Sequence, residues 1–226
     1  NQGEARRDSL MQNQVFTRIV KVVYRYDTTD SAKKPVIQLD DARRVYKKKP
    51  DHIREVPLRH KVPGKSDDVE IDTNPSMSEE VASFAFEPRE RSNYRFTIEE
   101  RKWVGGHVIY KIGFEPKSKL DPFPSGEVWI DTNEYVIVRE EFWYRDRSPA
   151  PLFLDGIDRC VVERSRVDGK WWVITRIFGR VRLAGPVLAF ANIGKSRISK
   201  NVDFAALYTN WEVNRDLPDS VFTAQP

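Results

Sequence analysis

Alternation with a period of two runs through most of this chain, and it restricts the fold more than any other feature. Side chains of a strand point to opposite faces in turn, so a stretch that is apolar at every second position builds a sheet with one dry face. Phe16, Val20, Val22, Tyr24 and Tyr26 fall on one parity of a stretch from about 14 to 27. Tyr94, Phe96 and Ile98 share a face with Arg95, Thr97 and Glu99 between them. Val108, Tyr110, Ile112 and Phe114 do the same around Lys111, Gly113 and Glu115. Trp171, Val173, Ile177, Val181 and Leu183 share a parity through a long strand near 170–183. Its other parity carries Arg176, Arg180 and Arg182 beside Trp172, Ile174 and Phe178. A last strand near 202–213 places Leu207, Trp211 and Val213 together.

The breaks between these stretches read as hairpins. Gly105-Gly106 supplies the positive φ that tight turns need, and Asp131-Thr132-Asn133 and Val167-Asp168-Gly169 make similar breaks. The expected fold is mainly β with minor α, a single domain over residues 1–226. Its core is a single curved antiparallel sheet of about nine or ten strands, forming an unclosed β-barrel. One apolar face must be covered. The candidates are a short helix, where Ser76 and Glu79 form a capping box ahead of Val81, Phe84 and Phe86, and the apolar loops 148–154 and 186–190. A long loop is expected near 62–76, where Pro, Gly and acidic residues cluster.

Composition excludes several classes. Apolar residues make up 39% of the 226, enough for a core, and the longest uncharged run, 183–194, is too short for a transmembrane segment. The chain opens NQGEARR, without Met or a signal-peptide pattern, as a processed or trimmed chain does. A single cysteine, Cys160, forbids an intramolecular disulfide, and its place beside Val161 and Val162 reads as a buried, inert thiol. There is no Gly-x-Ser-x-Gly elbow, phosphate-binding glycine loop or His-Glu-x-x-His. Glu140 and Glu141 alternate faces and cannot converge on one substrate. The expectation is a non-enzyme with no catalytic residue, no metal and no cofactor. Asp68, Glu70, Asp72 and Asn74 read as a solvated acidic loop, since the spacing fails that of a calcium loop.

A net charge of +4 conceals segregation. Residues 43–65 hold nine Lys/Arg and two acids, residues 67–90 one Arg and eight acids, and residues 176–200 six Lys/Arg and no acid. No recognition helix or nucleic-acid motif accompanies the basic blocks, so nucleic acid is not the expected partner. Arg176, Arg180, Arg182, Lys195 and Arg197 are instead candidates for contact with an anionic headgroup or acidic protein. An ordinary solvated sheet face remains the competing reading.

The run from Tyr94 to Pro116 (YRFTIEE … GGHVIYKIGFEP), followed by Phe123–Asp131 (FPSGEVWID) and Tyr135–Arg139 (YVIVR), resembles the periplasmic outer-membrane lipoprotein carrier and lipoprotein-sorting (LolA-like) superfamily. Val167–Trp172 (VDGKWW) and the closing Tyr208-x-x-Trp211-x-Val213-Asn214 with Leu217–Phe222 (LPDSVF) fit the same pattern, so the resemblance covers about 90–222. It implies an unclosed barrel around an apolar cavity, binding acyl chains or hydrophobic segments in the periplasm or at the outer membrane of a diderm bacterium. The chain departs from the family at its start, where residues 1–13 are short and polar instead of a substantial helix, as with a truncated end or a different lid.

The alternation nominates Val108, Tyr110, Ile112, Phe114, Val173, Ile177, Val181 and Leu183 to line or underlie that cavity, with Phe84, Phe153, Leu154, Leu188 and Phe190 at its rim or lid. Core packing is the alternative for each. Two functions follow: a carrier or chaperone of a lipid or lipoprotein acyl chain, or an interaction or sensor module of an envelope complex on the same fold with a filled core. The partners implied are a lipid, an acylated protein or an envelope protein.

Overall fold

The computed structural model describes residues 10–26, 36–61, 86, 89–118, 123–144, 154–185 and 198–223. Ten strands form one sheet: β1 (Asn13–Tyr26), β2 (Val36–Lys48), β3 (His52–Lys61), β4 (Tyr94–Val104), β5 (His107–Pro116), β6 (Ser125–Asp131), β7 (Val136–Tyr144), β8 (Leu154–Val167), β9 (Trp171–Leu183) and β10 (Ile198–Val213). Their spatial order is β3-β2-β1-β10-β9-β8-β7-β6-β5-β4, with every neighbour antiparallel. Two meanders, β1–β3 and β4–β10, are therefore joined through β1 and β10. β3 and β4 form the two edges, so the barrel is not closed. The helical elements with described bounds are a 3₁₀ turn at Arg91–Asn93 and a short α1 (Ser220–Thr223), and Leu10, Phe86 and Gly185 are also helical. The capping-box helix and the apolar loops 148–153 and 186–190 lie outside the described residues.

The turns use the residues that the sequence offers for them. Gly105 and Gly106 take φ of 55° and 84° between β4 and β5, and Asp168-Gly169 take 52° and 62° between β8 and β9. Between β6 and β7 the Asn133 N–H donates to Asp131 Oδ1 at 2.8 Å, a side-chain mimic of a backbone turn.

Register assigns the faces, because residues directly opposite one another share a side. Phe16 faces Val45, Val20 faces Ala206, Ala206 faces Ile177, and Ile177 faces Val162. The same side continues through Cys160–Phe142, Phe142–Gly126, Gly126–Phe114 and Phe114–Phe96. All of these but Gly126 belong to, or pack against, one buried apolar cluster that spans the sheet from β2 to β4. This is the inner face; the other carries ion pairs.

Two bulges correct the expected parities. Glu163 pairs with Arg176 but Arg164 with Ile174, so Thr175 is an extra residue on β9. Ile174 therefore joins Ile177 in packing against the inner cluster, while Trp171 and Val173 form a separate group with Met11 and Val213. On β10, Asn210 at φ 53° accompanies a register shift, so Leu207 faces outward, 39% exposed, while Trp211 stacks on Phe16 at 4.3 Å. The basic block 43–65 contributes the last part of β2 and all of β3, strands that its interrupted alternation conceals.

Candidate functional site: the apolar inner face and its rim

The inner face is aromatic at the β4–β6 end. Phe86 meets Phe96 and Phe114 at 5.6 Å each, and Tyr94 meets Phe114 at 5.8 Å and Phe123 at 5.7 Å. Edge-on and tilted ring contacts at these distances add to what burial alone contributes. Val128 and Ile137 are wholly buried and Phe114 nearly so, whereas Ile112, Val20, Val181 and Phe204 pack against the same cluster only half-buried.

Three polar side chains in this region have their pKa raised by burial. Burial pushes the Tyr144 phenol up to about 12, and burial together with the nearby Glu140 pushes the Cys160 thiol up to about 12. Burial also raises Tyr94, with the Tyr144 phenol as the second cause. Its hydroxyl has no hydrogen-bond partner. Glu140, 2% exposed, points inward opposite Val162, while its neighbour Glu141 points outward opposite Val161. The two carboxylates thus lie on opposite faces, as alternation requires.

At the β1–β3 end the inner face becomes ionic. Arg18 Nη2 donates to Glu55 Oε2 at 2.9 Å, and Arg43 Nη1 donates to the same oxygen at 3.2 Å. Arg43 Nε donates to Asp41 Oδ2 at 3.0 Å, and His60 Nδ1 lies 3.0 Å from Asp41 Oδ1. Nothing in the alternation announced this cluster, because Arg18, Asp41 and Arg43 occupy positions the pattern reserves for apolar residues.

The edges differ from the middle. Ile53 and Leu58 on β3 and Ile98, Trp103 and Val104 on β4 are each more than half exposed, Trp103 at 73%. These five are most of the large apolar side chains exposed among the described residues. Ile98 and Trp103 sit opposite Ile112 and Val108, so they extend the inner face to its rim.

The outer face is a lattice of opposite charges. Lys111 reaches Glu99 and Glu127 at 2.9 and 2.8 Å, contacts that raise its pKa. Arg44 reaches Glu212 at 2.6 Å, and Arg139 pairs with Glu163. A polar groove of about 380 Å³ lies across β4–β7, bordered by Arg95, Glu99, Glu127 and Trp143. His107, Asp131 and Glu134 gather within 4.8 Å of one another, the spacing of a metal site. The carboxylates are already engaged: Trp172 Nε1 and Arg166 hold the two oxygens of Glu134, and Asp131 takes the Asn133 N–H, while His107 Nδ1 lies 2.7 Å from the other Asp131 oxygen without making a hydrogen bond. The chemistry of this trio is that of a brace between neighbouring turns.

The structure gathers most of the expected lining residues. Ile112, Phe114, Ile177 and Val181 belong to or pack against the inner cluster; Tyr110 faces Ile130, Val108 faces Trp103, and Leu183 faces Leu154. Val173 stands apart, in the group around Trp171. Leu154 opens β8 and packs on the cluster, while Phe84, Phe153, Leu188 and Phe190 lie outside the described residues. The arginine stripe is partnered. Arg180 Nε donates to Asp203 at 2.6 Å, Arg182 pairs with Asp158, and Arg176 lies 4.2 Å from the Phe178 ring. The acids come from β8 and β10, which a count within 176–200 does not see. Lys195 and Arg197 lie outside the described residues.

An unclosed ten-stranded antiparallel sheet with an apolar inner side and a charged outer side is the class that fold and site define. The chain is similar in structure to a domain from Vibrio parahaemolyticus named for outer membrane lipoprotein sorting, at 11% identity and a TM-score of 0.39, covering 98% of this chain and 95% of that one. It is also similar to a DUF1329 family protein from Desulfovibrio piger, at 12% identity and 0.38, over 98% and 94%, and to a LolA superfamily protein from Nitrosomonas europaea, at 10% and 0.31, over 95% and 91%. No family model and no curated protein sequence matches the chain.

Proposed function

We propose that this chain is a non-catalytic envelope protein that holds a hydrophobic ligand, a lipid or a lipoprotein acyl chain, against the inner face of its open sheet, as a carrier or chaperone does. The observation that carries the reading is where apolar surface emerges. The inner face is apolar through its middle and its β4–β6 end, and large apolar side chains become exposed chiefly on β3 and β4, the two edge strands of the described sheet. Apolar surface gathered along sheet edges marks a binding site better than the same residues scattered singly. Wholly buried Val128, Ile137 and Phe142 are core; half-buried Val20, Tyr110, Ile112, Val181 and Phe204 are the surface offered to a guest. The sequence resemblance implies the periplasm or outer membrane as the setting.

Native mass spectrometry of the purified protein, with titration of a fluorescent acyl probe, tests the reading. Bound lipid or saturable probe uptake is expected. Neither bound lipid nor uptake would overturn it.

A second reading has its own observation: β4 presents an unpaired backbone edge beside Ile98, Trp103 and Val104, a template for strand addition by an envelope protein. In that case the protein would recover a partner from membranes and take up no acyl probe.

A further inference from the structure

Resting on the reading that the inner face holds an acyl ligand, we infer that Arg18 anchors the anionic end of that ligand, an oxygen acid such as a carboxylate or phosphate monoester. Arg18 lies on β1 between Phe16 and Val20, opposite Tyr208 on β10 and Arg43 on β2, and is 2% exposed. Its Nη2 donates to Glu55, while Nε and Nη1 are buried without a hydrogen-bond partner. Nε carries one N–H and Nη1 two, so three of the five guanidinium donors have no acceptor among the described residues. Leaving a buried charged donor unmade is costly, and an anion satisfies it with charge-assisted bonds.

The surroundings do not meet this demand. Glu55 Oε2 is shared with Arg43 at 3.2 Å, and the second carboxylate, Asp41, is taken by Arg43 and faces His60. Arg18 is thus the cation with the smaller share of the local negative charge. It also stands at a border, with the apolar side chains of β1 and β10 on one side and the ionic cluster of β2 and β3 on the other. An amphiphile laid along the inner face would bring its tail against Val20 and Phe204 and its anion to Arg18.

The test measures binding of hexadecanoate, hexadecyl phosphate and hexadecanol to the full chain, with Arg18→Met and Arg18→Lys beside it. The wild type is expected to bind at least one anionic amphiphile about tenfold to a hundredfold tighter than the alcohol, the range that charge-assisted hydrogen bonds give. Which of the two anions gains more separates a fatty acid from a phospholipid source. R18M is expected to lose the preference and bind all three alike, with R18K intermediate. Equal wild-type affinity for alcohol and anions overturns the inference while leaving the carrier reading intact. A preference that survives in folded R18M overturns it too. If none of the three binds, the carrier reading falls, and the inference with it. Should R18M fail to fold, the wild-type arginine Nε–H NMR spectrum decides: a resonance moved by hexadecyl phosphate and not by hexadecanol supports the anchor, and an unmoved spectrum removes it.

Discussion

Arg159 holds Glu141 across β7 and β8 by two prongs, Nε at 2.6 Å from one carboxylate oxygen and Nη2 at 3.0 Å from the other. Arg139 joins from the same strand as Glu141 at 3.2 Å. Burial alone would push the Glu141 carboxyl up, but hydrogen bonds from Arg159 and then Arg139 bring it below its usual range. A carboxylate depressed in the folded state contributes its stability above the unfolded value, here about 4.5, and loses it as pH falls through the lower folded value. Glu141→Gln is therefore expected to cost about 1 kcal/mol at pH 7, the upper end for a surface network. The gap from wild type should close toward pH 3. Urea melts at both values check this, and a gap unchanged with pH would refute the linkage.

Cys160 gives the opposite kind of prediction. Its thiol is buried on the inner face opposite Phe142 and Gly179 and is pushed up to about 12 by burial and then by Glu140. The thiolate is the reactive form, and at pH 8 it is a trace. Native protein is expected to resist a disulfide reagent for hours and to titrate one thiol in denaturant. Rapid modification of the native protein would show that this part of the sheet opens readily.

Gly126 is a glycine because two groups occupy the place of a side chain. A Cβ there would lie 2.3 Å from the Glu141 carbonyl oxygen and 2.5 Å from the Phe114 ring. Neither can withdraw cheaply, since the first is strand backbone and the second is a buried ring that packs against Phe86 and Tyr94. Gly126→Ala is expected to cost roughly 2–3 kcal/mol. In a chain of this length that lowers Tm by about 5–10 °C. Thermal melts of the variant read it directly, and an unchanged Tm would mean the ring has room to move.

The same residues show why part of this molecule is legible in its sequence. β5 reads cleanly because it carries most of its apolar residues on one side and is entered from the turn residues Gly105-Gly106. Period two fails wherever one extra residue enters a strand: Thr175 and Asn210 each shift the register, and no composition signal marks them. It fails again where an inward position is charged. Arg18, Asp41 and Arg43 look like the solvated side of a strand, yet Arg18 and Asp41 are among the most buried side chains of the sheet. The arginines of β9 raise a related point, since the acids that hold Arg180 and Arg182 come from strands outside residues 176–200. Charge counts along a chain cannot register pairing across a sheet.

Trp103 and Ile98 separate binding from folding. Both lie on the edge strand β4, facing Val108 and Ile112, and both are largely exposed, so they contribute little to the packed core. Surface substitutions away from packing and caps usually change stability by less than about 0.5 kcal/mol. An acyl chain entering past β4 would bury both, and each buried side chain is worth about 1.5–3 kcal/mol. The double variant Ile98→Ser, Trp103→Ser should therefore melt within a degree or two of wild type and bind an acyl probe at least tenfold more weakly. Ile112→Ala is the contrasting variant, since its side chain packs against the inner cluster and its loss should lower Tm as well as affinity. Probe titrations beside thermal melts give both numbers for each protein. Undiminished affinity in the double variant would place the entrance away from β4.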